Sequence, residues 1–225
     1  AACPFKFLVR RVWKTDTSQE VSDETEAVDQ GDLYHIVLAR FFKNYLGKNI
    51  SSVDIGVLEK ELQAVFNSVC EEFLLSGKLK NTDFLDAELQ QIWKKLLRVI
   101  NAEIAYQKDL STSKRNLLPA FVEWGFGNAS HVFCREIDGE RAYFTGRIDR
   151  IDADEENLFI TDYKRTNGPA KKDFEAGLDM QMPLYVLAAE DFFANDTRML
   201  LGGGYFSIET AKRKNGHWRK DAAFL

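Results

Sequence analysis

The sequence predicts an α/β or α+β domain in which a β-sheet is flanked by helices, and three observations carry that expectation. Residues 33–110 are dominated by apolar side chains spaced three and four apart, the repeat of amphipathic helices. At Pro119 the texture changes to short alternating or apolar runs divided by turn residues, the grammar of strands and hairpins. One more helical stretch then interrupts the strands, giving the order strand–strand–strand–helix–strand.

In chain order, Thr15–Tyr34 holds seven acids (Asp16, Glu20, Asp23, Glu24, Glu26, Asp29, Asp32) and no Lys or Arg, so a mobile, solvated loop is expected. Leu33, Ile36, Val37, Phe41 and Tyr45 then form one helical stripe, stopped by Gly47. A second helix is predicted from about Val53 to Leu75, where Leu58, Leu62, Val65, Phe66, Val69 and Phe73 repeat at three and four. Asn81-Thr82-Asp83 offers caps for a third helix running to about Gln107, with Leu85, Leu89, Ile92, Leu96, Val99, Ile100 and Ile104 inward. Strands are expected over Ala120–Phe126, His131–Ile137, Ala142–Ile151 and Asn157–Tyr163, with turns at Asp138-Gly139 and Asp154-Glu155-Glu156-Asn157. A helix over Asp179–Phe193 and a strand over Gly203–Ile208 complete the series, without internal repeats.

Composition narrows the class. At 225 residues and 45% hydrophobic, the chain can bury a sizeable core without disulfides. Its 29% charged and 12% aromatic content excludes a disordered chain. No apolar run approaches the roughly 20 residues of a membrane span, so no membrane partner is expected. A net charge of −5 confines any nucleic-acid contact to a local basic patch. Cys3, Cys70 and Cys134 are odd in number and far apart, and no CxxC occurs, which argues against a disulfide scaffold or a complete zinc or iron–sulfur site. With no basic-then-apolar signal region, a cytoplasmic setting is expected. Phe5–Arg11 opens inside an amphipathic pattern and the chain stops on Ala222–Leu225, so both ends read as cuts in a longer protein. A single domain over 1–225 is expected, with 33–110 mainly helical and 117–210 the catalytic sheet core.

The chemistry concentrates in two strand ends. Gly146-Arg147-Ile148-Asp149-Arg150-Ile151-Asp152 closes one, and Ile160-Thr161-Asp162-Tyr163-Lys164 closes the next. Asp162 and Lys164 are two apart and share a face, and Asp149 can lie beside them. Two carboxylates and an ammonium fill a core poorly, since unpaired buried charge is expensive. They suit a hard cation such as Mg²⁺, with the lysine serving an attacking water. On Asp-x-Lys alone a screened surface ion pair is the commoner reading. The rest of the chain shifts that balance. Gly31-Asp32-Leu33-Tyr34-His35 sets a histidine at the start of the first core helix. Leu117–Glu123 sets a carboxylate on the strand before the hairpin, and Gln181-Met182-Pro183-Leu184-Tyr185 sets Gln and Tyr on one helix face.

In this order and spacing the residues resemble the RecB-like branch of the PD-(D/E)xK nuclease superfamily, nearest the C-terminal nuclease domain of AddB-type helicase–nuclease subunits. The resemblance runs from Cys3-Pro4-Phe5-Lys6-Phe7 through His35, Glu123, Gly146–Asp149 and Asp162–Lys164 to Gln181–Tyr185, nearly the whole chain. It implies a restriction-endonuclease-like mixed sheet core flanked by helices, with a helical N-terminal insertion. It implies a Mg²⁺- or Mn²⁺-dependent deoxyribonuclease, an exonuclease processing DNA ends in recombinational double-strand break repair alongside a helicase–nuclease partner subunit. By the same resemblance His35, Asp149, Asp162 and the Tyr163 carbonyl hold the metal, and Lys164 serves the water. Gln181 and Tyr185 would orient Lys164 and touch the DNA backbone. Glu123 reads equally as an outer group of the site or as a strand-face charge.

The chain departs from the pattern in one respect. The family's 4Fe–4S cluster takes one Cys before the core and three after it. Cys3 stands where the first would be, but none follows Cys134, so a cluster requires cysteines beyond Leu225. Cys70 and Cys134 read as packing, and His131 and His217 as unpartnered strand and surface residues. Gly202-Gly203-Gly204 lacks the Lys-Ser/Thr and following helix of a phosphate loop. Lys212, Arg213, Lys214, Trp218, Arg219 and Lys220 read as a solvated tail, with a DNA-backbone contact as the alternative. Two other functions fit the residues less well, a non-cleaving DNA-binding or docking domain and a helical scaffold. The first leaves mutually repelling carboxylates without a purpose, and the second leaves the polar constellation unexplained.

Overall fold

The computed structural model describes residues 27–113 and 115–219. The Cys3-Pro4-Phe5 start and the acids from Asp16 to Glu26 lie outside them. Three long helices come first: α1 (Ala27–Lys43), α2 (Ile55–Leu75) and α3 (Leu85–Thr112). Helix α1 is described from Ala27, six residues before Leu33, so the acidic stretch is not all loop; Asp29 and Asp32 lie within the helix. Asp54 caps α2 by accepting from the Gly56 and Val57 amides. The expected cap at Asn81-Thr82-Asp83 is not made. Phe84 precedes α3 and makes no side-chain cap, and the first turn carries Asp86 and Glu88, where the helix dipole favours negative charge.

The second half is a mixed sheet. Its strands are β1 (Leu118–Phe126), β4 (Gly146–Ala153), β5 (Asn157–Lys164), β6 (Met199–Ser207) and β7 (Lys212–Trp218), adjacent in that order. Only β5 and β6 run parallel, and the helix between them, α5 (Gln181–Phe192), follows a short α4 (Lys171–Glu175). The expected His131–Ile137 and Ala142–Ile151 runs are trimmed and divided. Beside the main sheet, β2 (Cys134–Ile137) and β3 (Glu140–Tyr143) form a separate hairpin, turned by Asp138 and Gly139, both at positive φ. Of the basic run expected as a tail, Lys212, Arg213, Lys214 and Trp218 lie in strand β7, paired antiparallel with β6; Arg219 follows it and Lys220 lies outside the described residues.

The sheet separates two cores. Leu33, Val37, Phe41, Leu62, Phe66 and Leu96 from the helices pack on one face with Tyr163 and Phe206. On the other face, Met182, Tyr185 and Ala189 of α5 meet Trp124, Ile148, Ile160 and Tyr205. Close approach of α5 explains Gly203, because a Cβ there would lie 2.5 Å from Met182 Sδ and 2.8 Å from Ile160 Cβ. This layered, mixed α/β architecture is the one expected from the sequence.

Candidate active site

The alternation of the strands breaks at one level, and that break creates the site. On β1, Phe121 faces the α5 side and Val122 the helical side, yet Trp124 and Phe126 return to the α5 side. On β4, Ile148 faces α5 while the guanidinium of Arg150 lies 4.5 Å from the Phe42 ring on the opposite side. Val122 opposes Arg150 and Trp124 opposes Ile148, so Glu123 and Asp149 occupy the level between them, where both strands change sides. Glu123 adopts φ 51°, a left-handed conformation that costs a non-glycine residue about 1–3 kcal/mol.

Two groups of side chains meet there. From the helical side, His35 Nδ1 of α1 lies 3.0 Å from Asp149 Oδ1. The other oxygen, Oδ2, accepts the Tyr163 amide at 2.7 Å. One ligand atom each from His35, Glu123 and Asp149 lie within 4.8 Å of one another. From the α5 side, Lys164 Nζ is 2.7 Å from Asp162 Oδ2 and donates to Gln181 Oε1 at 2.8 Å. Gln181 Nε2 donates to Asp162 Oδ1 at 3.0 Å and to the Tyr185 hydroxyl at 2.9 Å. The residues singled out from sequence are thus adjacent, but Asp162 is held by Lys164 and Gln181 and stands outside the His35–Glu123–Asp149 triplet.

The electrostatics match this crowding. Burial pushes the Asp162 carboxyl up to about 6, with Asp149 adding repulsion and Lys164 countering it. Burial likewise raises Glu123, and Asp149 adds to the rise against Arg147. Burial pulls His35 down, but its hydrogen bond to Asp149 and the charges of Asp149 and Asp162 more than offset this, so its pKa is raised. Desolvation lifts the Tyr185 phenol to about 12. Asp162 Oδ2 is buried with no directed hydrogen bond beyond its ionic contact with Lys164. Two carboxylates, an imidazole and this under-satisfied oxygen suit a divalent cation.

Sequence reading gives no role to the network behind the site. Arg150 Nε lies 2.8 Å from Asp152 Oδ1, its Nη2 lies 3.1 Å from Glu103 Oε1, and its Nη1 donates to the Tyr163 hydroxyl at 2.9 Å. Arg213 of β7 reaches the second Glu103 oxygen at 3.2 Å. The available signal is polar residues on an apolar helical stripe: Glu103 and Gln107 continue the series Leu96, Val99, Ile100 and end at Leu110.

Fold and site together define a nuclease-type domain: the chain belongs to the PD-(D/E)XK nuclease superfamily, whose sequence profile matches residues 1–223. Nucleases of this superfamily generally use divalent metals, and the His35–Glu123–Asp149 triplet is a candidate site for one. Among curated proteins the chain is similar to the ATP-dependent helicase/deoxyribonuclease B subunit of Moorella thermoacetica, 26% identical over 217 residues, or 85% of this chain and 17% of the relative. The protein of the same name from Acetivibrio thermocellus is 28% identical over 223 residues, covering 92% of this chain and 19% of its own length. An uncharacterized protein of Rickettsia bellii is 26% identical over 181 residues, covering 80% of this chain and 19% of that protein. The chain therefore spans about a fifth of these relatives. Among the described residues no helix is long and apolar enough to cross a membrane.

Proposed function

We propose that this chain is a divalent-metal-dependent deoxyribonuclease module of a longer polypeptide, hydrolysing DNA phosphodiester bonds with Mg²⁺ or Mn²⁺. We further infer an exonuclease that processes DNA ends during recombinational break repair, working in the cytoplasm alongside a helicase–nuclease partner subunit. The observation that carries the reading is the convergence of His35, Glu123 and Asp149 beside the Asp162–Lys164 pair. The names of the helicase/deoxyribonuclease relatives support DNA as substrate and a helicase as companion.

A bound divalent cation supplies polarisation of a phosphoryl oxygen and activation of water. The chain's own residues do the rest. Glu123 and Asp149 offer anionic oxygens and His35 an imidazole, while the Tyr163 amide fixes the Asp149 carboxylate. Gln181, anchored on Tyr185, holds Asp162 and Lys164 together through its two amide atoms. Lys164 Nζ carries three protons, of which Asp162 and Gln181 engage two. The third is available to the attacking water or to charge developing on the phosphate.

Incubation with linear single- and double-stranded DNA in Mg²⁺, in Mn²⁺ and in EDTA tests the proposal. Metal-dependent shortening of the substrate is expected. DNA retained by the protein but intact in both metals would favour the non-cleaving binding domain instead.

A further inference from the structure

We propose that Lys78 and Arg147 form a two-pronged phosphate clamp at the mouth of the candidate metal cavity, Arg147 being freed for DNA when a divalent cation takes over its partner Glu123. The inference rests on the nuclease reading above. The cavity has a volume of about 460 Å³, and both cations line it. They arrive from separate elements, Lys78 from the loop after α2 and Arg147 from β4.

Each cation is parked on an acid of the same cavity. Arg147 Nε lies 2.7 Å from Glu123 Oε2 with its side chain 67% exposed, and Lys78 Nζ lies 3.1 Å from Asp32 Oδ2 with 43% exposure. Pairs this exposed are weak and exchange readily. The Lys78 ammonium also lies 5.0 Å from the Phe73 ring centre, which keeps it at the rim rather than in open solvent.

Charge decides what the mouth attracts. Asp32, Glu123 and Asp149 face Lys78, Arg147 and the His35 imidazole, so the cavity without a cation holds no excess of positive charge for an anion. A divalent cation supplies that excess and gives Glu123 a better partner than Arg147. The guanidinium then presents its planar fork, and the ammonium its point charge, to phosphate oxygens. Cation and DNA backbone therefore bind cooperatively and reciprocally.

The test is fluorescence anisotropy with short labelled single- and double-stranded oligonucleotides over a salt series, in Ca²⁺ and in EDTA. Ca²⁺ is an oxygen-seeking cation that reads binding apart from turnover in Mg²⁺ or Mn²⁺. In Ca²⁺, Arg147→Ala and Lys78→Ala are each expected to weaken binding about three- to tenfold and to lower the salt slope by about 0.7–0.9. Arg147→Lys should keep the slope, and in EDTA the Arg147→Ala penalty should vanish. Arg40→Ala removes an exposed cation paired with Glu72 outside the cavity and should change neither quantity. Wild-type-like affinity and slope in both cavity variants, or an equal loss in Arg40→Ala, overturns the clamp. Failure of the wild-type chain to bind DNA under any condition overturns the nuclease reading instead.

Discussion

Two clusters of charge lie back to back across Tyr163, and they are built to opposite ends. Behind it, Arg150 and Arg213 balance Glu103 and Asp152, and the Arg150, Glu103 and Asp152 side chains are at most 3% exposed. In front, Glu123, Asp149 and Asp162 face His35 and Lys164, with His35 and Lys164 both 29% exposed. The rear cluster is balanced in charge and closed to solvent except at Arg213, whose side chain is 16% exposed. The front one keeps an excess of negative charge and an opening. Tyr163 joins them, its hydroxyl on Arg150 and its amide on Asp149. A buried charge cluster that balances internally is scaffold, whereas one left acidic at an opening is poised to take a cation.

Damage to each cluster separately should have opposite consequences, the rear one for stability and the front one for cleavage. Arg150→Ala removes the cation beside buried Asp152 and leaves Glu103 with Arg213 alone, and is expected to cost about 3–5 kcal/mol in denaturant unfolding. Asp162→Ala and Lys164→Ala should instead abolish cleavage, by at least about 100-fold, while circular dichroism and Tm stay close to wild type. Wild-type-like cleavage in either variant would remove that residue from the chemistry.

Metal choice sharpens the description of the front cluster. Imidazole is a softer ligand than carboxylate, so Mn²⁺ should bind more tightly than Mg²⁺. His35→Ala should weaken Mn²⁺ by about tenfold or more and Mg²⁺ by less, as read by calorimetric titration. Identical Mn²⁺ affinity in the two proteins would leave His35 as a packing residue.

Of the two clusters, only the front one has a described residue at positive φ, Glu123. Glu123→Gly admits φ 51° without a Cβ, so stability should hold or rise by up to about 1 kcal/mol while metal affinity falls. Smallest is a pair outside both clusters, Asp196–Arg198, where the Arg198 side-chain and backbone hydrogen bonds hold the Asp196 carboxyl down at about 2. With the folded pKa depressed, its contribution to stability is present above the unfolded value near 3.9 and is lost as pH falls toward 2. Carboxyl NMR titration should show Asp196 returning to the ordinary range in Arg198→Ala.

Legibility in the sequence follows physical range. Helices α1–α3 and the strands of the sheet are local periodicities, so their apolar stripes reveal them without any knowledge of partners. The pairing of Asp162 with Lys164, and of Gln181 with Tyr185, follows from spacing within one element. Glu123 is ambiguous because its direction depends on a change of side shared by two strands, and Arg150 because its partners come from α3 and β5 as well as its own strand. The start of α1 and the identity of β7 escape a reading of the sequence for one reason. Charge density suggests a solvated loop or tail, although acids suit a helix start and bases suit an outer strand.

Strand β7 gives that last point a further meaning. Its outer side is a row of backbone donors and acceptors that no other described strand pairs, an invitation for another chain to extend the sheet. Lys212 and Lys214 stand along it, Asn215 at φ 53° bends it, and the register slips between Gly204 and Tyr205 on its partner. Charge and curvature together make the edge a poor template for self-association. The basic run thus discourages another copy of the chain from adding a strand at this edge.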